Sequence, residues 1–292
     1  MKTRTYLILN ADDFGLSHSY NKAIIQLLIH KKVSSATLMP VTPGFSEAAG
    51  WAAVNREHAV GLHLTFTSEW ERQEWRWASL TGKASLHGSD GTMHRNCEMV
   101  EENVREEDVA AEIAAQFNRL EEAGVRISHV DNHMGSLYGV TKGRSFITQV
   151  FAQCIPRGLG FRLPRKIMRG IDSFNDSIPE AAVETLAGLT AYAGKNGIFL
   201  PDYLLAHQFA PGPGDTYYSF KRMMVNKMAN LPEGIVETYI HPSVDSDEVR
   251  NITPTWRQRV WEYELMLDPD MDYALKENGV RLVNYIEASF LR

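Results

Sequence analysis

Cysteine is almost absent from this chain of 292 residues, which contains only Cys97 and Cys154 and no CxxC pair. Two isolated thiols cannot build the disulfide framework of a small secreted domain, and without a CxxC pair they do not suggest a thiolate zinc site. We therefore expect a protein of a reducing compartment, and the cytoplasm is the simplest location.

Long apolar runs and an excess of basic residues are missing as well. The run Tyr6–Leu9 follows a basic segment, residues 1–4, and stops before Asp12, so it is too short for the apolar region of a signal peptide. No segment has the length that a bilayer span requires. The formal charge of -6, from 30 basic and 36 acidic residues, argues against nucleic acid as the principal ligand. We expect a small-molecule partner, with homo-oligomer formation left open.

Phosphate-binding patterns such as GxGxxG and the P-loop are also absent after the predicted strands, although short β-type runs alternate with helical patterns along nearly the whole chain. The alternation and the length favour an α/β barrel related to the TIM architecture over an open doubly wound sheet, which stays the alternative. Strands are predicted at Tyr6–Asn10, Ala36–Met39, Val60–Leu64, Ile127–Val130, Gly160–Leu163, Ile198–Leu200, Ile235–Ile240 and Arg281–Asn284. Helices are predicted at Lys22–His30, Phe45–Val54, Val104–Ala123, Phe146–Ile155, Pro179–Ala187, Phe220–Asn230 and Trp256–Leu267.

Two stretches interrupt the alternation, residues 69–98 and the Pro- and Gly-rich loop Ala210–Gly214. Because βα units resume after each of them, residues 1–292 are expected to form a single domain with an excursion at 69–98. Trp70, Trp75 and Trp77 lie in this excursion, where their rings could either stack on a sugar face or anchor the loop.

Polar side chains lie at or near the carboxyl ends of five predicted strands, where barrel enzymes build their sites. They are Asp12 with Asp13, His63, the segment His129–His133, Arg162 and His241. Each has a structural interpretation when taken alone, since an isolated Asp-Asp pair suits a turn or a helix cap and a single strand-end histidine is often a hydrogen-bonded core residue.

The coincidence of these residues points to a metal. If strands one, three and four are neighbours or near-neighbours, Asp13, His63 and His133 converge as an Asp-His-His set with an open position, which a catalytic divalent cation requires. Asp12 would then be left free for proton transfer. Asp131, on the same strand face as His133, is expected to orient a histidine ligand.

Six segments of the chain resemble the YdjC family of carbohydrate deacetylases, in the same order and over essentially the whole chain. They are Leu7–Gly15, Gly61–His63, His129–His133, Phe161–Pro164, Glu237–Pro242 and Asn278–Leu282. The resemblance implies a distorted (β/α) barrel of about seven strands, similar to polysaccharide deacetylases. It also implies hydrolysis of an N-acetyl group from an amino sugar or a short chitooligosaccharide.

Site roles follow from the same resemblance. It implies one divalent metal ion, Mg or Zn, bound by Asp13, His63 and His133. Asp12 would be the general base and His241 the general acid. Two other interpretations stay open: a metal-dependent phosphoesterase or another amidohydrolase that uses the same residues, and a carbohydrate-binding protein without catalysis.

Two further features concern the substrate. After His133 the chain has Met134-Gly135-Ser136, where family members often carry further histidines, so the substrate-facing part of that loop is expected to differ. A basic run also follows the fifth strand. It suggests that the small carbohydrate substrate carries a phosphate or that the rim guides an anionic substrate, with ordinary surface charge as the alternative. This run consists of Arg162, Arg165, Lys166 and Arg169.

Overall fold

The computed structural model describes residues 5–170 and 173–291, so the basic segment 1–4 lies outside the described range. The strands are β1 (Thr5–Phe14), β2 (Ser35–Leu38), β3 (Val60–Leu64), β4 (Ile127–Asn132), β5 (Gly160–Phe161), β6 (Tyr203–Leu205), β7 (Gly234–Ile240) and β8 (Arg281–Leu282). The first seven are mostly buried, as expected for parallel strands that helices cover.

Helices connect these strands in the predicted alternation. They are α1 (His18–Ile29), α2 (Phe45–Val54), α3 (Cys97–Asn103), α4 (Glu106–Glu122), α5 (Ile147–Arg157), α6 (Ser173–Ser177), α7 (Glu180–Lys195), α8 (Tyr217–Ala229), α9 (Asp247–Ile252), α10 (Trp256–Leu267), α11 (Pro269–Glu277) and α12 (Tyr285–Ser289). None of these helices has the length and apolar character that a bilayer crossing needs, within the part of the chain that the structure describes.

Seven strands form one parallel sheet in the order β5-β4-β3-β2-β1-β7-β6, and β8 pairs with the start of β1. Backbone hydrogen bonds join the two ends of this row. Phe161 N donates to Phe199 O and Arg165 N donates to Pro201 O, both at 2.9 Å. The row therefore closes through irregular backbone instead of a strand ladder, which confirms the predicted distorted α/β barrel of about seven strands.

The sixth strand shows where local pattern misleads. The prediction of a strand at Ile198–Leu200 is wrong, because the ladder with β7 is formed by Tyr203–Leu205. Ile198 and Leu200 are buried, so their segment has the apolar character of a strand. Pro201 follows directly and has no N–H to continue a ladder.

The excursion at residues 69–98 packs over the carboxyl ends of the strands through a small apolar cluster. Trp70 and Trp77 belong to this cluster and are only 8% and 5% exposed. The indole N–H of Trp77 donates to Thr67 O at 2.9 Å. These two rings therefore anchor the excursion and do not offer a flat face to a sugar.

Candidate active site

Two adjacent carboxylates lie at the carboxyl end of β1, which runs on to Phe14, beyond its predicted end. The pairing with β2 shifts register between Ala11 and Phe14, and Asp13 has a φ of +63°, in the left-handed region. Side chains of neighbouring residues in a regular strand point to opposite faces. This irregularity allows both Asp12 and Asp13 to contact residues of one buried cluster, and such backbone strain is typical of functional sites.

Asp13 meets two histidines at this end of the sheet, because β1, β3 and β4 all end here with β2 between β1 and β3. Asp13 Oδ1 lies 3.5 Å from His63 Nε2 and 3.3 Å from His133 Nδ1, and the two nitrogens are 3.3 Å apart. All three side chains are buried. We call this set of residues the triad.

The triad fits a divalent cation in both charge and spacing. Asp13 Oδ1 is buried and has no hydrogen-bond partner among the described residues, so this carboxylate oxygen is available as a ligand. Three ligands around a tetrahedral ion at about 2.0–2.1 Å would lie about 3.3 Å from one another. The separations in the triad are 3.3–3.5 Å.

Each histidine of the triad has a carboxylate on its other ring nitrogen. His63 Nδ1 lies 2.5 Å from Asp131 Oδ1, and His133 Nε2 lies 2.9 Å from Glu69 Oε1. Contacts of this kind set the orientation and tautomer of a metal-binding imidazole. Burial opposes protonation, but the carboxylates outweigh it and raise the pKa of His63 to about 9 and that of His133 to about 10. A cation that binds here therefore competes with protons.

A second group of candidate ligands, Asp12, His63 and Asp131, also has atoms close enough for one ion. Its carboxylates already have a cationic partner. Arg162 contacts both oxygens of Asp12, at 2.6 and 2.8 Å, and lies 2.9 Å from Asp131 Oδ2. A metal ion would have to compete with that guanidinium, so the triad around Asp13 is the better candidate.

Asp12 is a buried carboxylate held in one orientation. Besides the two contacts with Arg162, its Oδ1 accepts a hydrogen bond from Asn10 Nδ2 at 2.7 Å. A carboxylate has about four acceptor positions, so three hydrogen bonds leave one position free. His241 Nε2 lies 4.0 Å from the Oδ2 atom of Asp12.

His241 follows β7, and its backbone N–H donates to Glu262 Oε2 at 2.6 Å. Burial and the charge of Arg259 lower the pKa of His241 to about 4, although the two aspartates act in the opposite direction. The imidazole is therefore neutral at neutral pH. The ring of Phe209, which is 41% exposed, approaches it edge to face with 5.5 Å between centroids.

The loop after His133 is the one that is expected to depart from the family pattern. Asn132 holds it: its Nδ2 donates to Leu64 O and its Oδ1 accepts from Leu137 N, both at 2.8 Å. Met134 has a φ of +57° and is 52% exposed. An exposed apolar side chain thus follows His133.

Other polar residues singled out in the sequence have structural partners. His129 stacks on Tyr285 with 4.1 Å between ring centroids, and burial lowers its pKa to about 3, so it is a neutral core residue. In the basic run, Arg165 Nη1 lies 3.7 Å from Asp202 Oδ1. Arg169 donates to backbone carbonyl groups of the α6 region.

Two carboxylates of the site, Glu69 and Glu237, were not predicted. Glu237 lies within β7, and Arg162 Nε donates to its Oε1 at 2.7 Å. Burial raises the pKa of Glu237 to about 7, although Arg162 acts in the opposite direction. The sequence contains one signal that could have identified Glu237, namely an acidic residue inside an apolar strand. Glu69 offered no such signal, because it reaches His133 only through the folding of an irregular loop.

Fold and site together define an α/β barrel protein with a candidate divalent-metal centre at the carboxyl ends of its strands. The chain belongs to the YdjC-like protein family, whose model matches residues 6–277. This membership confirms the family predicted from the six sequence segments.

Known relatives extend over the whole chain. A carbohydrate deacetylase of Geobacillus stearothermophilus is 26% identical over 283 residues, which cover 97% of each chain. A carbohydrate deacetylase of Brevibacillus brevis is 26% identical over 281 residues, covering 96% of this chain and 98% of the relative. The crystal structure of an Enterococcus faecalis protein with a proposed role in cellobiose-phosphate cleavage has a TM-score of 0.72 and 25% identity, covering 97% of this chain and 98% of that one.

Proposed function

We propose that this protein is a metal-dependent hydrolase that removes the N-acetyl group from an N-acetylated amino sugar or a short chitooligosaccharide. The observation that carries the proposal is that two adjacent carboxylates have different partners. Asp13 faces two histidines, whereas Asp12 faces a guanidinium and His241. This arrangement suits metal-assisted amide hydrolysis, in which one group binds the cation and another transfers the proton. Relatives named carbohydrate deacetylase supply the class of substrate.

In this proposal Asp13, His63 and His133 hold one divalent ion, Mg or Zn. When bound, the ion polarises the acetyl carbonyl and lowers the pKa of a water molecule. Asp131 and Glu69 keep the two imidazoles in the tautomer whose free lone pair faces Asp13. Elemental analysis of the purified protein identifies the ion.

Proton transfer is assigned to Asp12 and His241. Asp12 takes the proton of the attacking water while Arg162 and Asn10 hold its oxygen atoms. His241 is neutral before the reaction, so it first receives a proton, and Asp12 Oδ2 lies 4.0 Å from its Nε2. His241 then protonates the sugar nitrogen as the C–N bond breaks, giving acetate and a free amine. Acid help of this kind is worth about 10²–10⁴ in rate.

The substrate in this proposal is a small carbohydrate, with or without a phosphate. Arg162 is not free to bind a phosphate, because Asp12, Asp131 and Glu237 surround its guanidinium. Arg165 and Lys166 would have to bind the phosphate of a phosphorylated sugar instead. The two free cysteines are in keeping with a cytoplasmic location, which we retain as part of the proposal.

Metal analysis combined with an acetate-release screen tests the proposal. N-acetylated monosaccharides and chitooligosaccharides, each with and without a phosphate, are offered to the metal-loaded protein. We expect one divalent ion per chain and acetate release that Asp13→Asn abolishes. Phosphate release without acetate would replace the proposal by a phosphoesterase. Sugar binding with release of neither product would replace it by a carbohydrate-binding protein.

A further inference from the structure

A buried tyrosine from the C-terminal helix meets a buried strand glutamate behind Arg162. Tyr285 Oη donates to Glu237 Oε2 at 2.5 Å, and Arg162 Nε donates to Glu237 Oε1 at 2.7 Å. Tyr285 is 1% exposed and Glu237 is fully buried. Neither side chain is open to a substrate, and the hydrogen bonds link both of them to the site through Arg162.

Several independent contacts set the position of the Tyr285 hydroxyl. Asn284 and Glu287 form a capping box that starts α12, with two reciprocal hydrogen bonds of 3.0 Å. The Tyr285 ring stacks on the neutral His129 ring. Gly160 leaves room for it, since a Cβ at that position would lie 2.9 Å from Tyr285 Cδ1. The hydroxyl therefore approaches Glu237 from a fixed direction.

The guanidinium nitrogens of Arg162 contact three carboxylates. Nε contacts Glu237, the two Nη atoms contact Asp12, and Nη2 also lies 2.9 Å from Asp131 Oδ2. A guanidinium is a planar fork, so a bond that holds its Nε edge also fixes the direction of the two Nη atoms. Loss of the Glu237 carboxylate would free that edge and loosen the bidentate contact with Asp12.

We infer that Glu237 and Tyr285 are positioning residues for the base Asp12, and that they act through Arg162. The inference rests on the proposed function for the role of Asp12, whereas the contacts that carry it do not. Misplacing a catalytic group by about 1 Å can cost about 10²-fold in rate. A network that runs from the last helix to the base is therefore expected to affect kcat and to leave substrate binding unchanged.

The test compares two variants that change little else. Glu237→Gln keeps the shape of the side chain and removes its charge, and Tyr285→Phe removes one hydroxyl and keeps the ring that stacks on His129. We expect kcat for acetate release to fall about 10–100-fold in Glu237→Gln and about 3–10-fold in Tyr285→Phe, with KM and bound metal within about twofold of wild type. The double variant should lose less than the product of the single losses, because both residues act through one guanidinium.

Tyr6→Phe is the matched control. Tyr6 is half-buried and packs in the same small apolar cluster as Tyr285, outside the site. Removing its hydroxyl should leave kcat, KM and melting temperature unchanged. A loss of kcat in Tyr6→Phe as large as that in Tyr285→Phe would overturn the inference in favour of general packing of this cluster.

A second readout does not depend on turnover. The Nε–H resonance of Arg162 can be followed by NMR in protein with isotopically labelled arginine, assigned by its loss in Arg162→Lys. We expect Glu237→Gln and Tyr285→Phe to shift this resonance and to speed its solvent exchange, and Tyr6→Phe to do neither. An unmoved resonance with kcat within about twofold in Glu237→Gln would overturn the inference. If the wild type releases no acetate while the resonance responds, the proposed function fails and the link from Tyr285 through Glu237 to Arg162 is supported.

Discussion

The triad and the carboxylates around Arg162 are two neighbouring clusters, and they differ in whether their charged atoms have hydrogen-bond partners. In the triad, Asp13 Oδ1 is buried without a hydrogen-bond partner among the described residues. Around Arg162, the Nε atom and both Nη atoms each contact a carboxylate. Neighbouring acidic residues therefore need not share a role: Asp13 contacts two imidazoles that can act as metal ligands, and Asp12 contacts the guanidinium of Arg162.

Asp131 connects the two clusters. Its Oδ1 contacts His63 Nδ1, and its Oδ2 accepts from Thr37 at 2.8 Å and contacts Arg162. Burial alone would raise its pKa, but Arg162 and His63 lower it to about 2. One carboxylate thus contacts both a candidate metal ligand and the arginine that holds the candidate base. In the proposed mechanism it would couple cation binding to proton transfer.

Removing both histidines of the triad is the change with the largest expected effect. The variant with His63→Ala and His133→Ala should bind no metal and lose about 10³-fold or more in turnover, because the ion supplies several kcal/mol of charge stabilisation. Elemental analysis and acetate release on the same preparation check this. Stoichiometric metal in the double variant would mean that other residues bind it.

His241→Ala probes the proton-transfer side of the comparison. Turnover of an N-acetylated sugar should fall by about 10²–10⁴, because an amine leaves poorly without a proton, while bound metal stays normal. An activated aryl ester of acetate has a good leaving group and should lose much less. Equal losses for the two substrates would contradict an acid role and assign His241 to binding or folding.

Variants of Glu69 and Asp131 are expected to have smaller effects, and they distinguish the role of the triad from that of the carboxylates around Arg162. Glu69→Gln and Asp131→Asn should each weaken metal binding about 10–100-fold, as measured by competition with a chelator, because each carboxylate orients one imidazole. At saturating metal, Glu69→Gln should recover most of its kcat. Asp131→Asn should not, because Asp131 also contacts Arg162. Full recovery by both variants would show that the clusters are independent.

The smallest expected effect is a pH dependence of stability in the metal-free protein. The pKa values of about 9 for His63 and about 10 for His133 lie above the ordinary value of about 6.5. The folded state therefore keeps protons that the unfolded chain releases earlier, so their stabilising contribution is complete below about pH 6.5 and is lost as the pH rises through 9 and 10. Melting temperatures of metal-free protein should fall over this range, whereas those of metal-loaded protein should not. If the melting temperatures of metal-free and metal-loaded protein changed with pH in the same way, the assignment of His63 and His133 as metal ligands would be contradicted.

Sequence alone predicted the strand ends that carry Asp12, Asp13, His63 and His241, because each apolar run stops at a polar residue. It also brought Asp13, His63 and His133 together, because parallel strands that follow one another in a barrel place their carboxyl ends at one mouth. The barrel and the family were also predictable, because both are recognised from short segments of sequence. The signal for the barrel is the alternation of strand and helix patterns, and the signal for the family is a set of short segments in a fixed order.

The parts that sequence could not predict depend on contacts between distant segments. Glu69 meets His133 through an irregular excursion, and Tyr285 meets Glu237 from the other end of the barrel. The left-handed backbone of Asp13 has no local signature, since the residue is not glycine. The burial of Trp70 and Trp77 also depends on the helices that cover them.

The most direct test of the account compares metal content and turnover in Asp12→Asn and Asp13→Asn. The two variants change neighbouring residues in the same way, so each controls for the other. The account predicts that Asp12→Asn keeps one metal ion per chain and loses about 10²–10⁴-fold in turnover, whereas Asp13→Asn loses both metal and turnover. A reversed pattern, or equal and small effects in both variants, would contradict the separate roles of the two carboxylates.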